Sequence, residues 1–326
     1  MSNVVVTGGY GFIGSHLVSA LLERGDSVTV FDIAKNVRDR SIDFHDHPNF
    51  RFVQGDVTDL AALGSAITAG VDTVYHLSAV VGIKNYVEDP LRVLDVNVIG
   101  TRNVLELCHR YGSRVLFSST SEVFGKNPRP PFSEDDDRVL GSTRTARWSY
   151  STSKGMAEHL VFAMHSTFQL PVTVVRYFNV YGPRQNPIFV ISQSIHRILN
   201  GQRPYLYDSG EQTRCFTYVD DAVAGTLLAA DSPAAVGEAY NIGSMVESKV
   251  RDVVDLAIEA AGVESVDGVE HIDTATHYGA RYEDIPRRIP NSAKAQQELG
   301  WSLQVDVAEG VRRTIEWARA NPWYLQ

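Results

Sequence analysis

The chain has 326 residues, 44% of them hydrophobic and 21% charged, and its 30 Lys and Arg against 39 Asp and Glu give a formal net charge of −9. This is the balance of an ordinary water-soluble globular protein, long enough for two lobes and in no need of a disulfide or metal staple. The acidic excess argues against a nucleic-acid or anionic-membrane surface, Cys108 and Cys215 supply no disulfide framework, and the ten scattered His form no helical metal-binding pair.

Met1-Ser2-Asn3 runs straight into Val4–Val6 without a basic leader, and no uncharged apolar run approaches the ~18 residues that span a bilayer. The expected location is cytoplasmic. Residues 4–7 predict a buried strand and 13–24 a helix. Further strands are predicted at 27–31, 51–53 and 71–77, then a long helix from about 90 to 111. A strand at 114–118, a helix over 150–168 and a strand at 172–176 follow. Continuous Val, Ile and Phe strands alternating with amphipathic helices indicate α/β architecture: a Rossmann-type, doubly wound parallel sheet covered on both faces. After Arg176 the rhythm weakens. Pro183, Pro187 and Pro204 break the chain, and a helix over 250–261 stops at Gly262. A smaller C-terminal substrate lobe is expected there. The acidic stretch 133–137 reads as a solvated loop.

Thr7-Gly8-Gly9-Tyr10-Gly11-Phe12-Ile13-Gly14 sits where the first strand becomes the first helix. Glycines let the backbone turn sharply and admit a diphosphate where a Cβ would stand, and the helix start beyond offers N–H groups and a positive dipole end. A glycine triplet alone is weak; in the first βα turn of a doubly wound pattern it points to a dinucleotide. Asp32 ends the second strand, where a carboxylate binds both adenosine ribose hydroxyls and repels a 2′-phosphate. That favours NAD over NADP, with Lys35 and Arg38 nearby weighing the other way. Asp56-Val57 follows the third strand; Asp56 either meets the adenine or caps a helix.

Tyr150 and Lys154 lie four apart on one helical face. A phenol with a pKa near ~10 is a poor base at neutral pH, and a neighbouring ammonium together with a nicotinamide's positive charge is expected to lower that value and make Tyr150 a proton acceptor. The strand over 114–118 leads into Ser118-Ser119-Thr120-Ser121-Glu122, where strand ends of this architecture meet the ligand crevice, and Thr120 can hydrogen-bond the hydroxyl that Tyr150 deprotonates.

The glycine motif, Tyr150 with Lys154, and the hydroxyl of Thr120 resemble those of the extended short-chain dehydrogenase/reductases, in the nucleotide-sugar epimerase, dehydratase and decarboxylase branch. Segments that match in order along nearly the whole chain are 76–79, 97–101, 176–183, 214–221 and 240–243. The middle motif His76-Leu77-Ser78-Ala79 departs from the usual Leu-Ala-Ala, and Arg214-Cys215-Phe216 from the commoner Arg-Asp-Phe; neither departure removes a reactive group. The resemblance implies an enzyme with tightly held NAD, which takes hydride from carbon 4 of the sugar while Tyr150 takes the 4-hydroxyl proton. It implies that Gly8, Gly11, Phe12, Ile13, Gly14, Asp32, Asp56, Val57, Leu77, Ser78, Ala79, Asn97 and Ser118 border the cofactor together with Tyr150 and Lys154. Asn179, Arg214 and Arg281 would hold the diphosphate and sugar, and Lys84 is either a sugar contact or a solvated lysine. It also implies residues 1–176 with 214–243 as the NAD-binding domain and 177–213 with 244–326 as the nucleotide-sugar lobe. The family's usual contact is a homodimer through the helices near 90–111 and 150–168. Val93, Val96, Leu105, Met156, Leu160 and Met164 suit either that contact or the core.

Three features discriminate between branches. Dehydratases resemble this chain at Thr120 but follow it with Asp-Glu; Ser121 is too weak an acid to protonate a departing hydroxyl. Thr120-Ser121-Glu122 resembles the triad of UDP-glucuronate decarboxylases. Arg288 matches an arginine of those enzymes and can pair a carboxylate through two parallel hydrogen bonds, with adjacent Arg287 leaving the assignment open by one residue. The approach Ala146-Arg147-Trp148-Ser149-Tyr150 resembles decarboxylases of the lipid A pathway and also generic nucleotide-sugar epimerases. The expected reaction is decarboxylation of UDP-glucuronate to UDP-4-keto-pentose or UDP-xylose, with Arg288 reprotonating carbon 5 and Glu122 orienting the sugar. The alternative is a 4-epimerase acting on UDP-glucose/galactose or UDP-glucuronate. No metal is expected.

Overall fold

Runs rich in Val, Ile, Thr and Phe form the strands of the central sheet, because β-branched and aromatic side chains pack well on a pleated, two-sided surface. In the computed structural model, which describes residues 1–34, 42, 44–274, 276, 285 and 287–326, these strands are β1 (Asn3–Thr7), β2 (Ser27–Asp32), β3 (Phe50–Gln54), β4 (Thr73–His76), β5 (Arg114–Thr120), β6 (Val172–Tyr177) and β7 (Ala239–Ile242). Their order is β7-β6-β5-β4-β1-β2-β3, parallel throughout. The chain winds outward from β1 in both directions, so the crevice between the C-terminal ends of β1 and β4 is the switch point at which such sheets bind ligands.

Strand alternation divides the core. Val4 and Val6 face Leu17 and Leu21 of helix α1 (Phe12–Glu23) on one side, while Val5 joins Val74, Phe117, Leu105 and Val161 on the other. Each fully buried Val, Leu or Phe contributes about 1.5–3 kcal/mol relative to exposure.

Two helices depart from their sequence-derived bounds in ways that matter for the site. The expected helix near 90–111 is built in pieces: Ile83–Glu88, Pro90–Leu94, a π-helical turn Asp95–Gly100, and α2 (Thr101–Tyr111). The π turn carries Asn97, whose Oδ1 accepts from the Val80 amide at 3.1 Å and whose Nδ2 donates to Ser153 Oγ at 3.0 Å. Helix α3 (Arg147–Phe168) starts three residues before Tyr150, which places Arg147 and Tyr150 on one face. Among the apolar positions on these helices, Val93, Val96, Leu105 and Met164 are buried in the chain's own core, whereas Met156 is exposed.

Beyond β6 the strands outside the central sheet are only two or three residues long. Thr213–Arg214 pairs with Ser248–Lys249 and with Arg287–Arg288, and Tyr205–Tyr207 pairs with Glu270–Ile272. Helix Val250–Ala261 ends at Gly262 in the left-handed region, φ 58°. The acidic stretch 133–137 is only partly solvated: Glu134 Oε1 accepts from the Asn241 amide of β7 at 2.8 Å, and burial raises its pKa. Among the described residues no helix is long and apolar enough to cross a membrane, and no group of His, Cys, Asp and Glu is placed to hold a metal.

Candidate active site

The crevice at the switch point is made mostly of backbone. Gly8 has φ 73°, and a Cβ there would lie 2.8 Å from the Ser78 amide nitrogen. A Cβ on Gly14 would lie 2.1 Å from the Gly8 carbonyl oxygen. The glycines are thus required both for the turn and for the close approach of α1 to β1. No side chain caps the start of α1, which opens toward the groove. A groove of about 390 Å³ runs past Gly8, Gly11, Asp32, Asp56, Val57 and Leu77-Ser78-Ala79. Asp32 accepts the Tyr10 amide at 3.0 Å and the Ile33 amide at 2.7 Å, which aims the carboxylate along the groove wall. Asp56 is held by Arg92 and by the Thr58 amide and hydroxyl rather than capping a helix; Asp59 caps the helix Leu60–Leu63. A glycine cradle that any Cβ would fill, followed by a carboxylate at the end of β2, fits a dinucleotide with free ribose hydroxyls. Asn97 accepts the amide of Val80, which lines this groove, at 3.1 Å.

Tyr150 and Lys154 lie where β5 ends. Lys154 is buried, its Nζ donates to the Ser118 carbonyl at 2.8 Å, and it rides 4.8 Å from the centroid of Phe117. Burial pushes its pKa down to about 7, against the opposing charge of Glu158. Tyr150 stacks on Tyr86 with ring centroids 4.8 Å apart and is hydrogen-bonded to the Thr120 side chain. Its phenol lies above its ordinary pKa, through burial first and the charge of Glu122 second, with Thr120 and Arg288 opposing. Burial thus opposes the lowering expected from the ammonium and the nicotinamide's positive charge together. Lys154 is engaged by a backbone carbonyl, and loss of hydration disfavours the charged form of both groups. His76 anchors the floor: Nδ1 lies 2.7 Å from Thr7 Oγ1, Nε2 lies 3.0 Å from Thr101 Oγ1, and burial lowers its pKa to about 3.

A second cavity of about 240 Å³ opens beside this floor. One wall carries Tyr86, Glu122, Arg147 and Arg288. Glu122 Oε1 lies 3.4 Å from Arg288 Nη1 and 3.6 Å from Arg147 Nη2. The two arginine side chains are only 7% and 4% exposed and Glu122 is 16% exposed, so two cations and one carboxylate share a largely dry wall. The lining also includes Asn179, Arg214, Phe189 and Tyr207. Asn179, at φ 40°, donates to the Cys215 carbonyl at 3.2 Å, and Arg214 is paired in register with Arg288 across the small sheet. The doublet resolves cleanly. Arg287 turns outward and makes a two-point ion pair with Glu247, both contacts 2.9 Å, while Arg288 turns into the cavity.

Other expected residues fall differently. Ser121 is buried in the turn Ser121–Phe124. Lys84 is 78% exposed, pairs with Glu88 at 3.9 Å, and lines an adjoining groove rather than this cavity. Its helix turns it outward, which supports the solvated alternative. Arg281, like Lys35 and Arg38, lies outside the described residues. Sequence reasoning did not single out Arg147, Tyr86 or Arg92 as site residues. Arg147 could have been found from its spacing, three residues before Tyr150, once α3 was extended by one turn.

The fold and this pair of clefts define a dinucleotide-dependent enzyme of the extended short-chain dehydrogenase/reductase type. The chain belongs to the family described by the GDP-mannose 4,6-dehydratase model, which matches residues 5–314; it is an enzyme and its cofactor is NAD. Over 320 residues it is 37% identical to UDP-N-acetyl-alpha-D-glucosaminuronate decarboxylase of Bacillus cytotoxicus, with 97% of each chain covered. It is 34% identical to UDP-glucuronic acid decarboxylase 1 of Xenopus tropicalis, over 97% of this chain and 72% of that protein. Among solved structures it is similar to UDP-glucuronic acid 4-epimerase from Bacillus cereus in complex with UDP-glucuronic acid and NAD, with a TM-score of 0.85, 27% identity, and coverage of 98% and 99% of the two chains.

Proposed function

We propose that the chain is an NAD-dependent decarboxylase of a UDP-linked hexuronate, UDP-glucuronate in the first instance. The observation that carries this reading is the pair of buried guanidinium groups, Arg147 and Arg288, converging on one carboxylate oxygen in the cavity beside Tyr150. Two desolvated cations against the single carboxylate of Glu122 leave that wall net positive, which suits a substrate with a carboxylate of its own. The relatedness to two uronate decarboxylases points the same way.

In this reading NAD, when bound, supplies the hydride acceptor and donor for carbon 4. Asp32 and the glycine cradle bind it. Asn179 and Arg214 bind the diphosphate and sugar. Tyr150 takes the 4-hydroxyl proton, helped by Thr120. Oxidation at carbon 4 leaves a ketone β to the carboxylate. The bond from carbon 5 to the carboxylate then breaks, its electron pair moves onto the 4-oxygen as an enolate, and the hydroxyls of Tyr150 and Thr120 donate to that oxygen. Arg288, or water held by it, returns a proton to carbon 5, and Glu122 orients the sugar through its two arginines. Ser121 has no acid to offer, which disfavours dehydration. The exposed Ile99 and Met156, on the helices around α2 and α3, support a homodimer through that face.

The test is the mass of the product. Purified chain with NAD should convert UDP-glucuronate to a nucleotide sugar lighter by one carbon dioxide, and UDP-N-acetylglucosaminuronate in a parallel reaction reports the preference at carbon 2. A product of unchanged mass from UDP-glucuronate identifies a 4-epimerase and overturns the proposal.

A further inference from the structure

Two turns beyond Tyr150 and one beyond Lys154, α3 carries a carboxylate that the chemistry above does not use. Glu158 is buried, with both oxygens engaged. Oε1 accepts from Ser119 Oγ at 2.5 Å and from Arg176 Nε at 2.9 Å, and Oε2 accepts from Arg176 Nη2 at 2.7 Å. The partners are telling. Ser119 stands on β5 between Ser118, whose carbonyl receives Lys154, and Thr120, whose side chain bonds Tyr150. Arg176 stands on β6 directly opposite Ser119 in the sheet register. Its remaining nitrogen, Nη1, donates to the Glu134 carbonyl at 2.6 Å, and its guanidinium lies 5.2 Å from the centroid of Phe124, in the same turn as Glu122. One carboxylate therefore joins the helix that carries the Tyr–Lys pair to the strand end that carries their partners.

Building on the decarboxylase reading of this site, we propose that Glu158 is a positioning residue: clamped by Arg176 and Ser119, it fixes Lys154 and the Thr120–Tyr150 pair relative to one another and supplies the negative charge that Lys154 meets in the buried floor. A purely structural ion pair between helix and sheet would need neither Ser119 nor a place one turn from the lysine. The charged and titratable groups around Lys154 are few. From β4 comes His76, held neutral by burial; β5 offers the Ser118 carbonyl and the Phe117 ring; α3 itself offers Tyr150 and Glu158; and the cations Arg176 and Arg138 act on Glu158 from the far side. Glu158 is the anion that opposes the desolvation of Lys154.

The experiment reads Lys154 directly and needs no substrate. Full-length protein labelled with 13C and 15N at lysine is titrated by NMR, and the Lys154 resonance is assigned by its loss in Lys154→Arg. In Glu158→Gln the Lys154 midpoint should fall by about one pH unit, a tenfold change in proton affinity. Glu158→Asp, which keeps the charge, should restore most of it. Should Glu158→Gln fail to fold because Arg176 is left unpaired, Arg176→Met, which removes the opposing cation and keeps Glu158, serves instead and should move the Lys154 midpoint upward. With whichever nucleotide sugar the wild type turns over, Ser119→Ala should lower kcat several-fold with KM unchanged. An unmoved Lys154 midpoint in a folded variant overturns the proposal, whatever the substrate proves to be, and failure with UDP-glucuronate alone leaves the titration to decide it.

Discussion

The two clefts are built by opposite means. The cofactor groove is largely backbone: a glycine turn, the uncapped start of α1, the loop after β4, and one carboxylate at the end of β2. Its shape follows from short runs, each local in sequence, at the C-terminal ends of neighbouring strands. The sugar cavity is side chain, and its charged wall draws on the end of β5, the first turn of α3 and a two-residue strand at Arg287–Arg288. A groove of backbone tolerates loss of a side chain and fails when an atom is added. A wall of buried charges fails when a side chain is lost, because its partners are left desolvated and unpaired.

That contrast can be broken or sharpened by substitution. The largest effect is expected at the shared floor: Tyr150→Phe should lower turnover by roughly 10³-fold while the melting curve stays close to wild type. Turnover retained within a few-fold would remove Tyr150 from the chemistry. Next, Arg288→Met should cost about 10²-fold in kcat/KM for UDP-glucuronate, because Glu122 loses a partner and the substrate carboxylate a cation. Arg287→Ala, its outward neighbour, should stay within about two-fold; equal losses would show that the inward and outward assignments are wrong. Third, Gly14→Ala should destabilise the protein by about 1–3 kcal/mol in urea denaturation and weaken NAD binding, since the new methyl meets the Gly8 carbonyl. Last, Asp32→Ala should weaken NAD by only about tenfold, or roughly 1.4 kcal/mol, while improving NADP relative to NAD, as measured by direct titration. A larger penalty at Asp32 than at Arg288 would invert the comparison.

The difference also explains what could be read beforehand. The turn at Gly8 and Gly11 was legible because strand, turn and helix follow one another within a single βα unit, and Asp32 and Leu77–Ala79 because each follows directly on the C-terminal end of a predicted strand. Tyr150 and Lys154 were legible because one helical turn fixes their spacing. Lys84 was left between a sugar contact and a solvated lysine because its place after β4 gives the neighbourhood but not the direction; helix Ile83–Glu88 turns it to solvent. The π turn that carries Asn97 and aims it at the Val80 amide and Ser153 was not legible, because no periodicity announces it. Arg147 escaped because the onset of α3 was placed one turn late.

By itself, then, the amino-acid order determined the doubly wound parallel sheet, the dinucleotide cradle and the Tyr–Lys pair, since each rests on hydrophobic periodicity or on contacts a few residues apart. Tertiary structure alone decided which of Arg287 and Arg288 faces the cavity, that Arg147 joins it at Glu122, and that the phenol and the ammonium are so deeply buried. Those outcomes depend on dehydration and on charges brought together from separate segments, Arg147 and Arg288 both reaching Glu122 from other elements, and spacing along a chain carries no record of either.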